Sequence, residues 1–241
     1  MRGLFQSIIP VNIQILNKDT KLDSDLSHKR FKLYRAQHID KQENTATIIK
    51  TNGTHENLSE RQGIMKNKIT FRPLDFSDIP LMHQWFNEPH VQQFYSFRTW
   101  AEDEVLNKLT PYITHTKPVS GFIIVLNESP LGYLQFYKVK DYPWPNQNLP
   151  QTIIDNAVGM DVFIGNRQML GKGLGSRIIK TFIQSKIQPE FQYCIVDPDI
   201  KNEAALRCYE KLKFKEHAII ETFDALEQPT KLKLMILHCP K

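Results

Sequence analysis

Residues 158–164 read Val158-Gly159-Met160-Asp161-Val162-Phe163-Ile164, and a little further on comes Gln168-Met169-Leu170-Gly171-Lys172-Gly173-Leu174-Gly175. The first stretch is apolar apart from Asp161 and one glycine, which predicts a strand. The second spaces three glycines at alternate positions, and a helix near 173–187 follows, with Leu174, Ile178, Phe182 and Ile183 on adjacent rows. At such a strand-to-helix turn the glycines let the backbone approach a ligand closely. The amides at the helix start are unpaired and the helix dipole adds partial positive charge, so phosphate or pyrophosphate is favoured there. The competing reading is a glycine-rich connector that holds nothing.

Spacing narrows the ligand. Five residues separate Gly165 from Gly171, and Gly173 rather than Ser or Thr follows Lys172. A nucleotide-binding P-loop needs four residues and the hydroxyl. Gly171 and Gly173 fit the start of a dinucleotide fingerprint, but Ser176 stands at its third position.

Outward from this turn the pattern is mixed. Tyr193–Val196 reads as a strand, residues 202–212 as a helix, and Ala218–Phe223 and Lys231–Leu237 as closing strands. On the other side, Ile69–Arg72 alternates as a strand. Ser77 is the expected cap of the next helix, which carries Pro80 in its first turn and Ile79, Met82, Trp85 and Phe86 on one face. Thr99–Glu102 reads as a capping box for a second helix with Val105, Leu109, Tyr112 and Ile113 inward. Gly121–Leu126 and Leu131–Tyr137 make a hairpin around the turn Asn127-Glu128-Ser129-Pro130. A long polar loop then leads to Val158. Alternation of strand and helix appears only in the second half, so the fold class is α/β of the α+β type.

Residues 1–64 lack sustained periodicity and predict a poorly ordered extension, with one domain over residues 65–241. Met65 would also serve as a start directly before a strand. The whole chain has 241 residues and a formal charge of +5. That charge is spread out, with ten basic against seven acidic residues in 1–64 and twenty-one against nineteen beyond. Such a distribution argues against a nucleic-acid-binding face. Cys194, Cys208 and Cys239 form no close pair and no metal spacing, no signal peptide is legible, and no apolar run suits a membrane helix. The expectation is a cytoplasmic protein without metal.

Gln168-x-x-Gly171-x-Gly173, followed by Asn202-Glu203-Ala204-Ala205-Leu206-Arg207-Cys208-Tyr209-Glu210-Lys211, resembles the coenzyme A motif and the succeeding helix of GNAT acyltransferases. Gly132–Tyr137, Gly159-Met160-Asp161, Leu170–Gly175, Asp197-Pro198 and Arg207–Lys211 are most similar to aminoglycoside 6'-N-acetyltransferases. The resemblance covers about residues 68–237. It implies the GNAT fold, a twisted mixed sheet with a V-shaped splay between two parallel strands near 158–164 and 192–197 and helices on both faces. It implies acetyl-CoA as co-substrate, held by Phe163, Gln168, Met169, Leu170, Gly171, Lys172, Gly173, Leu174, Gly175, Asn202, Ala205 and Tyr209. One departure is Lys213, which stands where the family has glycine; a left-handed residue there costs about 1 kcal/mol.

Acetyl transfer to an alkylamine of pKa near ~10 needs a base. Asp161 is the candidate, because a carboxylate interrupting an apolar strand needs a reason to be there. It would otherwise point to solvent. Tyr209 is the candidate acid for the departing sulfur, or a core aromatic. Asp197 either holds a cationic substrate or caps the turn at Pro198. Gln135, Tyr137, Trp144, Asp155 and Asp224 are further substrate-side candidates, each with a surface or packing alternative. The first functional reading is acetylation of an aminoglycoside 6'-amine. Acylation of a lysine side chain or hydroxylamine of the siderophore type, acetylation of a peptide or protein amine, and a non-catalytic coenzyme A sensor stay open.

Overall fold

A computed structural model of the chain describes residues 68–142 and 148–240. The predicted extension, its boundary at residue 65 and Trp144 lie outside these residues. Seven strands form one sheet in the order β1-β2-β3-β4-β5-β7-β6. They are β1 (Ile69–Pro73), β2 (Val119–Leu126), β3 (Ser129–Lys138), β4 (Ala157–Ile164), β5 (Tyr193–Val196), β6 (Lys215–Phe223) and β7 (Pro229–His238). Only β4 and β5 run parallel; every other neighbouring pair is antiparallel.

Alternation along the strands feeds two cores. Ile123, Tyr133, Tyr137 and Phe163 face α1 (Ile79–Phe86) and α2 (Glu102–Ile113). Their neighbours Ile124, Leu134 and Met160 face α4 (Leu174–Phe182), which follows the short α3 (Gln151–Asn156). The period of two thus puts helices on both faces. The α4 helix buries Leu174, Ile178, Ile179 and Phe182, then continues as one π-helical turn at Ile183–Ile187. The last helix is α5 (Glu203–Lys211). No helix among the described residues is long and apolar enough to cross a membrane.

Local signals were right about most elements and off by up to three residues at their ends. Ser77 does not cap α1. Asp75 does the capping, one turn earlier, accepting from both the Ser77 amide and its hydroxyl at 3.0 Å. The turn it opens is a 3-10 turn at Phe76–Asp78 that runs into α1. At α2 the cap is Ala101 rather than Thr99, and Glu104 reaches back to the Ala101 amide at 2.8 Å while clasping Arg98 with both oxygens. The polar loop after β3 contains α3, a helix the sequence reading left out. His83 and His90 are half-buried and bind backbone carbonyls. Their Nε2 atoms lie 2.9 Å from the oxygens of Trp100 and Ile164, respectively.

Candidate active site

The β4 and β5 strands pair at only three positions: Ala157 with Tyr193, Val158 with Cys194, and Gly159 with Ile195. Beyond Gly159, β4 keeps only β3 as a neighbour, up to Ile164 opposite Gly132. Beyond Ile195, β5 keeps only β7. The sheet therefore forks, and the edge of β4 over residues 160–164 is left without a strand partner. Backbone polar groups at such an edge need a partner of some kind.

Asp161 and Asp197 each stand two residues past the last pair, so a period of two turns them to the same face. Both line the cleft at the fork, together with Asp199, Asp224, Asn202 and Tyr209. Burial raises the Asp161 carboxyl above the ordinary carboxylate range, opposed by a hydrogen bond from Gln135 and by the charge of Lys108. Asp197 is raised further by burial and by Asp161. The Lys108 ammonium is lowered to about 8, mainly by desolvation. Asp161 therefore interacts with both Lys108 and Asp197.

The opposite wall is aromatic. Phe94, Tyr95 and Phe97 line the cleft from a π-helical turn at Gln92–Ser96. Phe97 ends that turn in the left-handed region with φ 62°, a strained conformation for a bulky residue. Phe97 was not among the expected site residues, and neither was Asp199. An aromatic pair was visible in the sequence, but a π turn ending on a left-handed phenylalanine leaves no local signal. Asp199 is held by the Thr230 hydroxyl and the Lys201 amide.

At the glycine turn, Gly171 and Gly173 have φ of 72° and 71°, and a Cβ added to either would meet nothing within 4 Å. Glycine is required there by conformation, not by crowding. Gly173 is the N-cap of α4 and makes no side-chain cap bond, so the first amides of α4 face outward. Gln168, Leu170 and Lys172 are exposed around the same turn, with Met169 half-buried. Leu174 is buried beneath it, and a Cβ at Gly175 would come within 3.5 Å of Cys208 on α5. The turn and the unpaired β4 edge fit a ligand with a diphosphate and an extended amide-bearing arm. Asn202 caps α5 by accepting from Ala205 at 3.1 Å, which brings both residues to the cleft. Phe163 borders the fork by its backbone alone; its ring packs among Trp85, Phe86 and Tyr95.

Tyr209 is buried yet reaches the cleft. A Schellman motif places it: Phe214 donates to the Tyr209 carbonyl and Lys213 to that of Glu210, with the two rings 5.3 Å apart. Burial pushes its hydroxyl well up, so it keeps its proton.

Residues 75–222, more than half of the chain, match the family model described as an acetyltransferase (GNAT) domain. This chain belongs to the GNAT acetyltransferase family. It is an acetyl-CoA-dependent N-acetyltransferase of that type. It is 27% identical over 169 residues to the aminoglycoside N(6')-acetyltransferase type 1 of Klebsiella pneumoniae, spanning 66% of this chain and 79% of that protein. Its fold is similar to a crystal structure of an aminoglycoside acetyltransferase in complex with coenzyme A, with a TM-score of 0.61 at 24% identity, covering 71% and 95% of the two chains. A spermidine N-acetyltransferase from Vibrio cholerae, in complex with coenzyme A and spermine, superposes with a TM-score of 0.58 at 15% identity, again covering 71% and 95%.

Three substrate-side expectations are corrected. Gln135 is 2% exposed and lies behind Asp161, not in the cleft. Tyr137 is likewise buried, its ring over Gly159, where an added Cβ would sit 2.4 Å from the hydroxyl. Asp155 is exposed on α3 and accepts from Gln151 at 3.0 Å, away from the cleft lining. Asp224 does line the cleft, but its Oδ1 also accepts from the amides of Leu226 and Gln228, closing the β6–β7 turn.

Proposed function

We propose that this acetyltransferase acts on a primary amine of a polycationic small molecule, the 6'-amino group of an aminoglycoside being the first choice. One observation carries this reading: the cleft at the fork collects Asp161, Asp197, Asp199 and Asp224 against an aromatic wall of Phe94, Tyr95 and Phe97. Carboxylates attract several ammonium groups at once, and aromatic faces add cation–π attraction. The similarity to the Klebsiella pneumoniae aminoglycoside N(6')-acetyltransferase points the same way.

Acetyl-CoA, when bound, supplies an acyl thioester. The amides at Gly171–Gly175 hold its diphosphate, with Asn202 and Ala205 along the arm. Asp161 takes the proton from the substrate ammonium, directly or through a water. Its raised pKa brings it closer to the amine it must deprotonate. Tyr209 stays protonated and donates to the departing sulfur. A thiol has a reference pKa near ~8.5, so that donation matters less than proton removal.

The test is free-thiol release from acetyl-CoA with kanamycin-like aminoglycosides, run beside lysine derivatives, hydroxylamines and a lysine peptide. Aminoglycosides should give the highest kcat/KM. A higher value with lysine derivatives would move the assignment to the siderophore type. Thiol release with none of these amines, despite tight coenzyme A binding, would overturn the substrate reading.

A further inference from the structure

Behind Asp161 lies a hydrogen-bond chain whose other two members, Tyr133 and Gln135, are buried. The Tyr133 hydroxyl donates to Gln135 Oε1 at 3.0 Å, and Gln135 Nε2 donates to Asp161 Oδ2 at 2.8 Å. The sheet register builds it. Gln135 stands directly opposite Asp161 on β4, and Tyr133 is two residues back on the same face of β3. On the other side of β3, Gly121 is the partner of Gln135. A Cβ at Gly121 would lie 2.7 Å from the Tyr133 hydroxyl, so a side chain there would drive that hydroxyl off its acceptor.

We propose that Tyr133 and Gln135 are positioning residues that hold Asp161 with Oδ2 anchored to the sheet and Oδ1 presented to the acceptor amine. The chemistry permits one direction only. An ionised carboxylate only accepts, so Gln135 must turn its N–H to Asp161, and Oε1 is left to accept from the Tyr133 hydroxyl. Without the Tyr133 hydroxyl, Oε1 loses its donor and the amide that holds Asp161 is less firmly fixed. The chain also favours the charged form of Asp161, against its burial.

Other groups face the same carboxylate. Lys108 and Tyr112 come from α2, Tyr95 from the turn before it, Tyr137 from β3, and Asp197 and Tyr209 from the far side of the fork. Tyr95 also senses Tyr133 and Tyr133 senses Tyr112, so the Gln135 variant, which leaves all of these side chains in place, is the direct readout of the chain.

The inference rests on Asp161 being the base, and two readouts keep the questions apart. Protein labelled with 13C at the aspartate carboxyls is titrated by NMR, with the Asp161 signal identified by its loss in Asp161→Asn. In Gln135→Met the Asp161 titration should move up by about one to two pH units, the worth of one charge-assisted hydrogen bond. Tyr133→Phe should move it up by less, and the double variant no further than Gln135→Met alone. The acid limb of kcat/KM should shift with it. If Gln135→Met fails to fold, Gly121→Ala reaches the same bond from the far side of β3 and should mimic Tyr133→Phe. An unmoved titration in Gln135→Met, or a double variant in which the two shifts add, overturns the chain. Wild-type acetylation by Asp161→Asn sinks the base assignment instead and leaves the titration to judge the chain.

Discussion

At the scale of single residues, two side chains carry opposite lessons. Lys213 adopts φ 72° as the residue after the α5 cap. A lysine there costs about 1 kcal/mol, because its Cβ crowds the following carbonyl. Lys213→Gly should therefore raise the unfolding free energy by about 0.5–1 kcal/mol in chemical denaturation, without changing kcat. That strain was readable from the sequence alone, as a lysine standing at a glycine position. Asp161 is the opposite case: its oddity was visible, its setting was not. Asp161→Asn should lower kcat/KM by about 10²–10⁴-fold. Tyr209→Phe should cost less than that, since a thiolate leaves with little help. Equal losses in a thiol-release assay would contradict the ranking.

At the scale of elements, the strand-to-helix turn and the fork act together. Gly171 needs its positive φ but has open space around it, so an alanine there strains the backbone without a clash. Gly171→Ala should raise the KM for acetyl-CoA about fivefold, the equivalent of about 1 kcal/mol. Gly171→Asn should raise it less, because asparagine tolerates the left-handed region. Steady-state kinetics with both variants separates conformation from bulk. The π turn at Gln92–Ser96 and the strained Phe97 show the reverse situation. Their sequence reads as ordinary helix with aromatic residues, and the register that swings three rings to the cleft comes from packing against α1 and β4, with Phe86 and Phe163 both touching Tyr95.

At the scale of the whole molecule, the fork concentrates negative charge where the protein must also exclude water. Asp197 and Asp161 both have raised pKa values, chiefly from burial. A carboxyl whose folded pKa lies above its unfolded value binds its proton more tightly in the folded state. Its charged form therefore lowers stability near neutral pH, and that loss is recovered as pH falls through the folded pKa towards the unfolded one. Asp197→Asn should accordingly raise Tm near neutral pH, by about 2–4 °C for each kcal/mol regained, with the gap closing in mild acid. Calorimetry across pH checks both the sign and the convergence. Such a gain alongside weaker substrate binding would be a trade of stability against function.

By itself the sequence determined the order of the strands and of all the longer helices, the glycine turn and the two faces of each strand. These follow from short-range rules: a period of two or 3.6, glycine where φ must be positive, apolar runs where both sides are covered. The tertiary structure alone decided what covers each face. It took Gln135 out of the cleft and set it behind Asp161, left Asp155 on the surface, and brought Asp197 and Phe97 to one opening from segments a hundred residues apart. The physical reason is that alternation says which way a side chain points, while its neighbours there depend on where the strands part.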